Sequence, residues 1–158
     1  MKSAPSTMPI ADRAQVAALP LTLGDDGLAR VLLLTSRETR RWIIPKGWPI
    51  RGLKPYEAAA REALEEAGVT GQTKKKSIGS YRYFKRRGGR FDYCRVDVYL
   101  MWVNKQLTTW RERRQREVRW FTLQEASDLV EEPGLVALLR DLALAGFDYD
   151  VPRRIEPG

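Results

Sequence analysis

Three glutamates, Glu62, Glu65 and Glu66, are spaced so that a single helix would put them on one side. With about 100° of turn per residue they stand at i, i+3 and i+4, inside an arc of roughly 100°. Like charges so placed repel by about 0.2–0.5 kcal/mol per pair on an exposed helix, so a cation gives such a cluster its use. Mg²⁺ suits it: the ion takes oxygen ligands, keeps several waters and is shared between a few carboxylates and substrate phosphates, with Mn²⁺ as a substitute. The competing reading is a solvated acidic face, the usual meaning of a run of charge.

The helix that must carry these acids begins at Pro55, whose missing N–H and fixed φ suit a first helical position, and ends at Gly68, a natural left-handed cap. Alanine, glutamate and leucine between them are strong helix formers. Ala60, Ala63, Leu64 and Ala67 fall on a separate arc and are expected to face the core. Arg61 lies one turn from both Glu57 and Glu65. A glycine-bearing loop, Gly47 to Gly52, leads into the helix.

The stretch Gly47–Val69 resembles the Nudix box, G-x5-E-x7-R-E-U-x-E-E-x-G-U with U aliphatic. Gly47, Arg61, Glu62, Glu65, Glu66, Gly68 and Val69 stand at its positions, and Ala63 fills the first aliphatic one. The resemblance implies that Glu62, Glu65 and Glu66 bind the metal and, with Arg61, form the catalytic set. It also implies that Arg61 and the first box glutamate brace the loop against the helix. Leu53 occupies that glutamate's position. Glu57, four residues before Arg61, is the candidate replacement partner, with an ordinary surface i,i+4 pair as the alternative.

The 158-residue chain suits one domain, and a chain of this size buries about 70% of its unfolded surface without disulfides or structural metals. It has no histidine, which excludes imidazole bases, relays and zinc ligands. A single cysteine, Cys94, makes neither an internal disulfide nor a thiolate zinc site and is expected in the core. The N-terminus lacks a secretory apolar stretch and no run is long enough to span a membrane, so a cytoplasmic location is the expectation. The formal charge of +8 and pI near 9.9 favour anionic partners: polyphosphates, nucleotides or nucleic acid.

In chain order, residues 1–12 read as a mobile arm. Gln15–Leu23 and Ala29–Thr35 read as a hairpin around Gly24–Gly27, and Trp42–Pro45 as a short strand. Ile78–Phe84 and Phe91–Val103 flank a Gly88-Gly89 turn, and the second alternates Val96, Val98, Leu100 and Trp102 against Tyr99, Met101 and Val103. Residues 110–117 form a charged loop before a strand at Val118–Phe121. Thr122 with Glu125 reads as a capping box, and Pro133-Gly134 opens a last helix to Ala145. Strands on both sides of a central helix predict an α/β sandwich with a mixed sheet over residues 13–145, then a tail over 146–158. The Nudix resemblance implies the same α/β/α sandwich. The segments Trp42–Gly47 and Val118–Phe121 resemble the diphosphoinositol polyphosphate phosphohydrolase branch of that family.

Arg37, Arg40, Arg41, Lys46 and Arg51 cluster around the entry to the box, where solvated surface positions are the competing reading. There arginine holds phosphate by a fork and lysine by a point charge, and Gly47 joins them as a candidate substrate-binding position. The branch resemblance brings Arg116 toward a polyphosphate pocket. The expected activity is Mg²⁺-assisted hydrolysis of a phosphoanhydride in an anionic phosphorylated small molecule, with a glutamate as proton acceptor, Glu112 and Glu117 among the candidates. Lys74–Lys76 and Lys85–Arg90, near Tyr81, Tyr83 and Phe84, suit either a nucleic-acid track or simple solubilisation of strand ends. A non-catalytic polyphosphate sensor and an RNA-end binding or decapping protein remain the other function classes.

Overall fold

The computed structural model describes residues 13–145 and 156–157, with side chains except those of Arg87, Arg90, Glu156 and Pro157. The expected arm and most of the expected tail lie outside the described residues. β1 (Arg13–Leu23) and β2 (Ala29–Thr35) form the expected antiparallel hairpin, and two short strands follow, β3 (Trp42–Ile43) and β4 (Lys46–Gly47). Helix α1 (Pro55–Ala67) carries the box and ends on Gly68. β5 (Val69–Thr73), β6 (Gly79–Arg87), β7 (Arg90–Gln106) and β8 (Val118–Thr122) follow, then α2 (Leu123–Leu129), α3 (Pro133–Ala145) and β9 (Glu156–Pro157).

The sheet is mixed. β1 runs parallel to β7 along its length and antiparallel to β2 and β4, while β7 takes β6 and β5 antiparallel on its two halves. Alternation along the strands sends side chains to two layers. Val16, Ala18, Leu32, Leu34, Tyr99 and Met101 pack on one face against Ala58, Ala59, Ala63 and Ala67 of α1. Ala17, Leu19, Leu33, Val96, Leu100 and Trp102 pack on the other against Leu123, Ala126, Leu135 and Leu139 of α2 and α3. This is the predicted α/β/α sandwich. Cys94 is buried, and the Thr122–Glu125 capping box forms as read.

Three local expectations change. The buried arc of α1 is Ala58, Ala59, Ala63, Glu66 and Ala67, while Ala60 and Leu64 are only half-buried. The helix face turned to the sheet therefore includes one of the acids. β5 was not anticipated, because its Val-Thr-Gly-Gln-Thr sequence lacks a strong alternation and forms with a register shift at Thr70/Gly71. Finally, the tail returns to the sheet, where Glu156–Pro157 pairs parallel with Lys105–Gln106.

Candidate active site

The box helix is positioned from both ends. At its start the Glu57 carboxylate accepts the Lys54 backbone N–H at 2.8 Å, so Glu57 caps the helix. It does not brace Arg61, which is exposed and has no ion pair among the described residues. The expected Glu57–Arg61 brace is thus replaced, and the reason lies in Leu53. Its side chain packs with Ile50 and Tyr56 against the cluster beneath α1, and its N–H closes a turn onto Ile50 O at 3.0 Å. An apolar anchor holds the loop where the box has a carboxylate.

At the other end, the segment after β7 folds over the helix terminus and takes up its orphan carbonyls. Glu112 N donates to Glu65 O at 3.0 Å, the Trp110 indole N–H to Glu66 O at 3.2 Å, and Leu107 N to Gly68 O at 2.8 Å. Gly68 is left-handed (φ 69°), and a Cβ there would stand 2.3 Å from the Trp110 ring. Only glycine serves both the cap and the close approach.

Glu66 is the centre of the site. Its side chain is 9% exposed, it accepts the Lys46 backbone N–H at 3.3 Å, and the Arg116 guanidinium lies 3.9 Å from its other oxygen. The Glu62 carboxyl is its neighbour one turn back along α1. Burial pushes the Glu66 carboxyl up to about 8, against the pull of Arg116, and the neighbouring Glu62 raises it further. Burial raises Glu62 as well. Burial of two neighbouring carboxyls thus favours a proton on the pair. Gly47 leaves room for Glu62, because a Cβ on it would lie 2.4 Å from Glu62 Cδ. Glu65 is turned aside, 3.8 Å from Arg111, and among the described residues no three acidic groups converge to enclose an ion.

A cleft of about 640 Å³ opens beside Glu66 and is lined by Arg37, Arg41, Lys46, Gly47 and Arg116 among others. Arg51 is exposed and outside this lining, because the turn at residues 50–53 carries it away. The arginines already have partners. Arg41 pairs with Glu132 at 3.0 Å and Glu131 at 3.5 Å, and Arg37 donates to Gln115 at 3.1 Å. Arg116, its side chain 7% exposed, binds Glu112 at 2.8 Å and Thr35 O at 3.2 Å.

Lys46 differs. Its ammonium lies 5.0 Å from the centre of the Tyr83 ring and has no ion pair among the described residues. Burial pushes it down to about 8, opposed by the attraction of Glu66 and Glu132. Of the two candidate bases in the late loop, Glu112 stays beside the site through Arg116, whereas Glu117 pairs outward with Arg119 at 2.8 Å. The sequence reading missed Trp110, Tyr83 and Glu132. The Glu131-Glu132 pair just before a helix was the one visible signal, since acids favour helix starts.

A NUDIX domain family model matches residues 12–142. Nudix hydrolase 16, mitochondrial, from Arabidopsis thaliana is 32% identical over 123 residues, covering 75% of this chain and 65% of that protein. Diphosphoinositol polyphosphate phosphohydrolase 3-beta from Bos taurus is 32% identical over 126 residues, covering 73% and 70%. The structure of a C. elegans Ap4A hydrolase binary complex shares the fold, with a TM-score of 0.62 and 23% identity over 85% of this chain and 99% of that one. The chain spans 65%, 51% and 48% of the length of three of its plant relatives. The family model covers the box, strands β1 to β8 and helices α1 to α3 up to residue 142, and on that evidence the chain belongs to the Nudix family.

Proposed function

We propose that the protein is a Mg²⁺-dependent hydrolase of a phosphoanhydride bond in a polyphosphate or nucleoside diphosphate-linked substrate, of the diphosphoinositol polyphosphate or dinucleoside polyphosphate kind. The observation that carries this reading is one cleft that sets the buried Glu66 carboxyl beside the Lys46 ammonium, which has no ion pair among the described residues. The names of the bovine and nematode relatives support the substrate class.

The donor chemistry fits a hard divalent ion. Glu62 and Glu66 are neighbouring oxygen donors whose carboxyls burial raises, so an ion would displace a proton on binding them. They are the residues that would hold it, and Glu65 would join on leaving its loose contact with Arg111. Such an ion supplies neutralisation of phosphate oxygens and activation of water.

The chain's own groups do the rest. The Lys46 ammonium offers a point charge to a phosphate inside the cleft, and its backbone N–H keeps Glu66 aimed. Arg116 holds Glu66 and Glu112 in place, and Glu112 is the nearer candidate to accept a proton. Arg37 extends positive potential along one wall and helps to align the polyphosphate, and Arg41 would join it on leaving Glu131 and Glu132.

The deciding experiment is hydrolysis with Mg²⁺ of diphosphoinositol polyphosphates, dinucleoside polyphosphates, nucleoside diphosphate sugars and capped RNA. Turnover of one of the first three that is lost in Glu66→Gln supports the reading. Full turnover by Glu66→Gln, or none by the wild type, overturns it. Binding without turnover would identify a sensor, and turnover confined to capped RNA a decapping enzyme.

A further inference from the structure

The β6–β7 hairpin carries cations and aromatics side by side on one exposed face. The register sets Phe84 opposite Tyr93 and Arg86 opposite Phe91, with Arg82 two residues before Phe84. These side chains touch in sequence. Arg82 lies 5.4 Å from the Tyr93 ring, Phe84 and Tyr93 are 4.8 Å apart, and Arg86 lies 5.7 Å from the Phe91 ring. Phe84 is 66% exposed and Phe91 56%, unusually high for aromatics that find no place in either core layer.

The acids nearest this face are already matched. Asp97 is held by Arg95 at 3.1 Å, and Glu131 and Glu132 by Arg41. The stripe is therefore positive where it is apolar. Its pairs repeat every second residue, about 7 Å along the strand, which is the scale of one extended nucleotide. Flat rings flanked by guanidiniums suit unpaired bases and their phosphates, and such stacking tolerates any base. A second groove, lined by Arg82, Phe84 and Tyr93 together with Glu131 and Glu132, adjoins the cleft and shares Arg41, Tyr83 and Phe84 with it.

We propose that the Arg82–Tyr93–Phe84–Phe91–Arg86 stripe binds single-stranded nucleic acid, with bases on the rings and phosphates on the two arginines. The stripe meets the cleft at Phe84 and Arg86, while Arg82, Phe91 and Tyr93 lie outside the cleft's lining, and the proposal does not depend on the hydrolase reading.

The test is fluorescence anisotropy of the full chain with labelled, unstructured oligouridylate and oligodeoxythymidylate carrying 5′-hydroxyl ends, in chelator and across a salt series. Both are expected to bind. Two phosphate contacts at about −0.7 each give a log affinity against log salt slope near −1.4, and Arg82→Gln lowers it by about 0.7. Phe91→Ala and Tyr93→Ala each weaken binding at least about fivefold, while small-substrate hydrolysis is unchanged. Circular dichroism and melting temperature check that both variants fold.

Absence of binding to either strand at low salt, or wild-type affinity in the folded Phe91→Ala/Tyr93→Ala double variant, overturns the proposal. A concentration-dependent dimer abolished by the same double variant also overturns it, by assigning the stripe to a second copy of the chain.

Discussion

Divalent-ion binding should release a proton, and the amount is set by Glu66. In the ion-free site its carboxyl sits at about 8, so at neutral pH it holds a proton that the ion must displace. Each pH unit below that value costs about 1.36 kcal/mol, so Mg²⁺ affinity should fall about tenfold per unit between pH 8 and pH 6, then level off above pH 8. Calorimetric titration of the ion-free protein in buffers of different ionisation enthalpy measures both affinity and protons released. The expected release approaches one proton per ion near pH 6 and vanishes near pH 9. Glu66→Gln should bind weakly and without pH dependence. The stability sign follows from the same group. The folded chain keeps a proton that the unfolded carboxyl gives up at 4.5, so ion-free stability falls as pH rises from about 4.5 to about 8 and Mg²⁺ restores it. Wild-type affinity that stays flat from pH 6 to 8 with no proton released would refute the reasoning.

Other outcomes follow from neighbouring groups. Gly47→Ala drives a methyl to within 2.4 Å of Glu62 Cδ and separates it from Glu66, so kcat should fall by about a hundredfold with little change in melting temperature. Arg116→Met leaves the partly buried Glu112 without its cation and Thr35 O without its donor, and should destabilise by about 1–3 kcal/mol in urea melts. Lys46→Met should raise KM for anionic substrate at least about tenfold without loss of stability. In the wild type Lys46 titrates near 8 when folded and 10.5 when unfolded, so stability gained as pH rises across that window should disappear in the variant. Glu57→Gln should cost under about 0.5 kcal/mol and leave kcat within about twofold, since its role is the Lys54 cap; a tenfold kinetic loss would return Glu57 to Arg61.

What the sequence revealed was local. Helix α1, its Gly68 stop, the Gly88-Gly89 hairpin and the Thr122 capping box are each written within a few residues, and the alternation in β7 divides the two core layers as read. What it hid depends on distant partners. Trp110 reaches Glu66 O across 44 positions, a bond from a side chain to a backbone carbonyl that no periodicity encodes. Leu53 looked like a lost brace because a carboxylate's absence shows in the sequence, whereas the apolar pocket that receives a leucine does not. The three acids were legible as a cluster, but α1 is rotated so that Glu66 faces inward and Glu65 outward, and that turn is set by alanines packed against the sheet.

The parallel pairing of β1 with β7 joins Arg13 to Cys94 and Leu21 to Trp102. On the ribosome, the hairpin of β1 and β2 and the whole of α1 emerge before the strand that completes their sheet. Until β7 is synthesised, one long edge of β1 stays open and the alanine face of α1 lacks Tyr99, Met101 and Val103 to pack on. Such late, long-range closure belongs to slow-folding topologies. Nascent chains halted before residue 90 should therefore be held by chaperones, and those extended past residue 106 released, so that the site's carboxyl pair is assembled only in the second half of translation.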